Sequence, residues 1–153
     1  MSGFENAERL TSVFGRWPSF HDAEILRVVL DRAGEGGPSL AVDVHVFEMT
    51  STVDARGYYV SKNHHVARLE FCKISLDDLA EFMNQNVIFE LVVSAIDPAT
   101  NEGRRFHVSC GSSIGCHFEL DCARSIGCHF ELDCARMVVD DVRPFTPSSR
   151  APQ

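Results

Sequence analysis

The sequence predicts an α+β fold: a single domain in which a mainly antiparallel sheet, a meander of about seven strands, carries two short helices. Three observations lead there. Apolar and polar residues alternate at period two in one segment after another. Clusters of Gly, Pro, Asn and Asp separate those segments, and helical spacing is confined to two short stretches. At 153 residues the chain has the length of one domain, placed at residues 1–145, with an irregular tail over 146–153.

Asn6 is a candidate N-cap for a helix over 6–14, whose Leu10, Val13 and Phe14 share a face and which Gly15 and Pro18 terminate. Glu24 opens a strand with Leu26, Val28 and Leu30 on one side. The Gly-rich turn at 33–38 then leads into a second strand carrying Leu40, Val42, Val44 and Val46. From Met49 to His64 the alternation disappears, and the segment reads as a long loop of the kind that carries function. Ala67, Leu69 and Phe71 mark a third strand. Ser75 can then cap a second helix, with Leu76, Leu79, Ala80 and Met83 on one face and Asn84 as its stop. Residues 87–96 are apolar on both sides, which predicts an interior strand at the centre of the sheet. A turn at Asp97–Gly103, a strand over 106–110 and a last strand over 137–142 complete the series.

Residues 113–124 and 125–136 are identical, a tandem duplication without a single difference. Each copy is patterned as a strand, with two cysteines, a phenylalanine and a leucine on one face and a histidine and two carboxylates on the other. Because the copy has an even length, either one presents the same face in the same place. Three arrangements are open: one copy looped out, the two paired as an added hairpin, or one exchanged with another subunit. The hairpin is favoured because it sets Phe118 against Leu132 and Leu120 against Phe130. Its apolar face would have to be covered, which makes 113–136 a candidate self-association segment.

A formal charge of −8 argues against direct nucleic-acid binding and suits a basic protein partner. No apolar run is long enough to span a membrane, and the N-terminus lacks the basic start and apolar middle of a secretory signal, so a cytoplasmic location with reduced cysteines is expected. Cysteines at 110, 116, 122, 128 and 134 fall on one face of extended chain and read as small hydrophobes. No cofactor, metal or catalytic residue is expected, since no phosphate loop, nucleophile motif or zinc-protease helix occurs.

Two groups are candidates for recognition. Trp17, Phe20, His21 and Asp22 sit at the helix-to-strand junction. Arg56, Tyr58 and Tyr59 sit in the long loop and are of the types that dominate interface hot spots. The plainer alternatives are that Trp17 and Phe20 plug the core while His21 and Asp22 bond turn backbone, and that the loop folds onto its own domain. A metal-dependent or acid-base enzyme using His21, Asp22 and Glu24 is the rival function, and a structural self-association module a third. Adjacent His64 and His65 should point to opposite faces of a strand.

Trp-Pro-Ser-Phe-His-Asp-Ala-Glu at 17–24, Val-Asp-Ala-Arg-Gly-Tyr-Tyr at 53–59 and Asn-Gln-Asn at 84–86 together resemble the Immunity protein 50 family over about residues 10–145. The resemblance implies a cytosolic, non-enzymatic bacterial protein that binds and neutralises a cognate toxin; the acidic charge makes a basic nuclease domain one candidate partner. The second copy at 125–136 is the departure from a plain family member.

Overall fold

The computed structural model describes residues 3–111 and 127–147. Among them one helix, α1 (Glu8–Phe14), accompanies nine strands: β1 (Phe4–Glu5), β2 (Glu24–Asp31), β3 (Ser39–Val53), β4 (Tyr59–Cys72), β5 (Ser75–Ala80), β6 (Glu90–Ala95), β7 (Phe106–Gly111), β8 (His129–Cys134) and β9 (Arg136–Pro144). The α+β class and the antiparallel character hold. The single meander and the second helix do not: the strands form two sheets, ordered β1-β9-β4-β3-β2 and β5-β8-β7-β6.

The chain turns from one sheet into the other at two adjacent corners. One runs from Cys72 to Ser75, with Lys73 in the left-handed region at φ 53°, and the other from Cys134 to Arg136. The two are tied together where the Ala135 amide donates to the Cys72 carbonyl at 3.0 Å. A third junction lies at the opposite end, where residues 86–88 pair with the start of β2 before the chain enters β6. Between the sheets lies one apolar core, in which Leu40, Val42, Val44, Leu69, Phe71 and Val139 meet Val108, Phe130, Leu132 and Cys134. Phe71 and Phe130 meet with ring centroids 5.7 Å apart.

Each difference from the sequence expectation has a local cause. Asn6 takes a left-handed conformation (φ 57°) instead of capping, so α1 starts two residues late with Ala7 as N-cap and no side-chain cap bond. Gly15 ends it as expected, at φ 73° with its amide donating to Thr11. The stretch expected as a second helix is β5. Its register slips between Leu76 and Asp78 against β8, so Leu76 and Leu79 oppose Leu132 and Phe130 at a spacing of three, which imitates helical periodicity. Residues 49–64 are not a loop but the outer halves of β3 and β4, an arm closed by a tight turn at 54–57. β6 is the edge of the second sheet and not its centre. Its apolar pattern reflects partners on one side and exposed Phe89 and Val92 on the other.

On the outer side of the first sheet, Asp43 and Arg68 stand directly opposite each other on β3 and β4. The guanidinium donates twice to the nearly buried carboxylate, at 2.8 and 3.0 Å. Those bonds hold the Asp43 carboxyl below its ordinary range, with Arg143 a second cation 3.9 Å away. The paired charge replaces the water that burial removes.

The second copy of the duplication supplies β8. It pairs with β7 on one edge and β5 on the other, so residues 129–134 have no backbone edge left for the first copy or for another chain. The expected hairpin between the copies is therefore not what holds β8; the first copy, 113–124, lies outside the described residues. The chain enters β8 through Gly127 at φ 105°, where an added Cβ would lie 2.5 Å from the Asn86 Cα. In chain order the first copy falls inside the β7–β8 connection, 17 residues from 112 to 128.

Deleting residues 113–124 shortens that connection to five residues, an ordinary hairpin length. The deletion variant should stay folded and gain about 1 kcal/mol from the smaller loop-closure entropy. Gly127→Ala should lose at least about 2 kcal/mol, through its positive φ and the backbone clash. Urea unfolding midpoints check both, and a deletion variant that fails to fold would remove the second copy from the β8 position.

Candidate functional site

The segment after α1 is shaped by two residues that rarely adopt the left-handed conformation, Phe20 at φ 60° and Asp22 at φ 65°, each at a cost of about 1–3 kcal/mol. Backbone hydrogen bonds hold them there. Ala23 donates to Phe20 at 3.0 Å, Asp22 to Ile88 at 3.0 Å, and Ile88 back to Ala23 at 2.7 Å. The turn drives Phe20 into the core, 2% exposed, and leaves His21 and Asp22 outside. Trp17 is half-buried between the rings of Phe4 at 4.9 Å and Phe20 at 5.6 Å. His21 donates through Nδ1 to the Phe89 carbonyl at 2.8 Å and meets the exposed Phe89 ring edge-on at 5.3 Å. The core-plug reading thus describes Phe20 and much of Trp17, while His21 and Asp22 remain on the surface.

The arm formed by the outer halves of β3 and β4 rises beside this turn. Its base is fixed to the body at Asn63, another left-handed residue (φ 56°), whose amide donates to the Val13 carbonyl of α1 at 3.0 Å and to Glu48 at 3.3 Å. His65 packs against Phe14 on one side of the strand. His64 joins His45, Phe47 and Phe145 on the other, so the two histidines do point to opposite faces. At the tip, Asp54 Oδ1 accepts from the amides of Arg56 at 2.8 Å and Tyr58 at 3.0 Å, and Gly57 takes φ 86°. Tyr58 is 70% exposed, Tyr59 63%, Met49 55% and Val53 50%.

Between the arm and the turn runs an open groove of about 990 Å³. Trp17, Phe20, His21 and Asp22 line one wall, Phe47 to Ser51 of β3 the other, and Arg16, Lys62, Asp22 and Glu48 supply charge of both signs. All four junction residues singled out in the sequence therefore meet in one site. Arg56, Tyr58 and Tyr59 do not line it but stand at the tip of the arm whose base does. Sequence reasoning missed Phe47, Met49 and Lys62. Their signal was the β-branched run Thr50, Thr52 and Val53 ahead of Asp54-Ala-Arg-Gly57, strand residues followed by turn residues.

The groove mixes aromatic side chains with charges of both signs. His21 and Asp22 lie 3.7 Å apart with both side chains more than half exposed, and the one histidine–carboxylate group that converges among the described residues does not include them or Glu24. Cys72, Cys110, Cys128 and Cys134 are free, buried thiols. Burial pushes the Cys110 and Cys134 thiols up to about 12, so they serve as small apolar groups. The remaining duplicated cysteines, 116 and 122, lie outside the described residues.

The His45–His64 contact under the arm, 2.9 Å between ring nitrogens, requires one ring to donate and the other to accept. Burial first, and then the neighbouring His64, lower the His45 pKa below 6.5. A depressed histidine contributes stability that is complete above its unfolded pKa and is lost as pH falls through the folded value. The stability advantage of the wild type over His45→Gln should therefore shrink from pH 7 to pH 5, a window above the range in which Asp43 protonates. Urea midpoints of the two proteins at both pH values test this; a constant gap would remove the pair from the pH response.

No curated protein and no solved structure matches the chain. A family model, Immunity protein 50, matches residues 6–144, nearly the whole length. That range takes in the turn at 17–24, the arm tip at 53–59 and Asn86, the segments that build the groove and its surroundings. The chain belongs to the Immunity protein 50 family, and its role is that of a non-enzymatic bacterial immunity protein that binds a toxin.

Proposed function

We propose that the arm and the groove beside it are the face that grips the toxin. The observation that carries this reading is the exposure of Met49, Val53, Tyr58 and Tyr59 on a hairpin that stands away from the core. Tyrosines supply large contact area at small entropic cost, and the Asp54 bonds fix the turn before any partner arrives. Arg56 lies beside them, Phe89 extends the surface past His21, and the groove offers a recess into which a side chain of the toxin can insert.

Electrostatics divides between the sheets. The strands of the second sheet contain Asp77, Asp78, Glu90, Glu131 and Asp133 and no lysine or arginine. The groove carries both signs. In our reading the net charge of −8 steers a basic toxin domain, of which a nuclease is one class, while the arm supplies the contacts that hold it. The chain acts in this reading in the cytoplasm as one domain over 1–145. No helix among the described residues is long and apolar enough to cross a membrane.

The test uses the toxin captured by the wild-type chain from its source bacterium, purified and titrated back. Changing Tyr58 and Tyr59 together to alanine should weaken binding at least about 30-fold, roughly 2 kcal/mol, mainly through faster dissociation. The unfolding midpoint should not change, because both rings are exposed. Added salt should slow association for wild type and variant alike. Unchanged affinity in the double variant would place the toxin on another face.

A further inference from the structure

The outer face of the second sheet gathers imidazole and carboxylate groups from three strands, on the sheet that does not carry the arm. His107 of β7 sits opposite Asp133 of β8 in the antiparallel register, with Nδ1 2.7 Å from an Asp133 oxygen. Its other ring nitrogen, Nε2, lies 3.0 Å from Glu131. The slipped register of β5 brings two consecutive aspartates to this face. Asp78 bonds His129 at 2.9 Å, and Asp77 reaches toward His107. One ligand atom each from Asp77, His107 and Asp133 lie within 4.8 Å of one another.

We propose that Asp77, His107 and Asp133 form a binding site for one first-row divalent cation of the zinc type, which pins the edge strand β5 to β7 and β8. Donors of a shared tetrahedral zinc stand about 3.3 Å apart, as bond lengths of roughly 2.0–2.2 Å require. His107 Nδ1 and Asp133 now share a hydrogen bond at 2.7 Å; zinc would replace its proton, which is released to solvent, and the two atoms would move apart by about half an ångström to reach that spacing. Asp77 is exposed at a bulge, so its carboxylate can rotate inward without disturbing the core. Glu131 occupies the position of the carboxylate that orients a metal-bound histidine through its second ring nitrogen. One imidazole with two carboxylates selects zinc, cobalt or nickel over magnesium and calcium, which take oxygen donors. With five carboxylates and no lysine or arginine on the four strands, nothing on them competes with the cation. β5 gains most, because among the described residues β8 is its one strand neighbour.

Tag-free protein titrated with Zn²⁺ by calorimetry should take up one ion per chain, with a dissociation constant below about 100 μM, and Zn²⁺ should raise the melting temperature. Asp77→Asn should weaken binding at least about tenfold and His107→Gln should abolish it, while Asp78→Asn should leave it intact. Glu131→Gln should weaken it about tenfold, as loss of an orienting carboxylate does. Because Asp77 is exposed, its variant folds whatever His107→Gln does. Co²⁺ in place of Zn²⁺ should give a visible spectrum without a sulfur-to-metal charge-transfer band. Absence of stoichiometric binding, binding unchanged in Asp77→Asn, or a thiolate band showing that cysteines hold the ion would each overturn the proposal.

Discussion

The buried side chain of Asn86 is the joint on which the two sheets depend. It is 3% exposed, and both ends of its amide are used. The oxygen accepts from the Met83 amide at 2.8 Å and the Cys128 amide at 3.1 Å, while the nitrogen donates to the Met83 carbonyl at 2.7 Å and the Ile25 carbonyl at 3.3 Å. One residue thus ties the start of β2 in the first sheet to the entry into β8 in the second. Each backbone group left unsatisfied without it costs about 1–3 kcal/mol. The Asn86 carbonyl also accepts from the Ile25 amide at 2.8 Å, which continues the bridge into the turn that holds His21 and Asp22.

That joint explains how the fold accommodates its duplication. Asn86 and the bare Cα of Gly127 fit together at a spacing that admits no side chain, and the residues following Gly127 fill the slot between β7 and β5. In chain order the first copy falls between β7 and β8, outside the described residues. An insertion inside β8 would instead have displaced Phe130 and Leu132 from the core.

Much of the fold was legible in the sequence, and the failures share a cause. Strands with one buried face, such as the inner halves of β3 and β4, and β7, announced themselves by alternation; in β2 a register shift after Ile25 buries that residue and leaves Leu26 and Leu30, read as its apolar face, exposed. The arm did not, because a two-stranded ribbon beyond the sheet has no buried face to impose a period. β5 read as a helix because its bulge resets the alternation between Leu76 and Asp78. At the site, Trp17, Phe20, His21 and Asp22 were visible as a local cluster. Their meeting with Phe47 and Met49 was not, since it depends on strand register and on the left-handed turns at Phe20 and Asp22. The pairing of His107 with Asp133 was hidden for the same reason: residues 26 positions apart meet only through the β7–β8 ladder.

If the arm and groove grip the toxin as proposed, the two-sheet body is their support. Hydrogen–deuterium exchange of the chain, free and bound to its captured toxin, tests that division most directly. Slowed exchange concentrated in residues 17–22 and 49–60, with β7 and β8 unchanged, is the predicted result. Protection confined to the second sheet, with the arm exchanging as it does in the free chain, would contradict it.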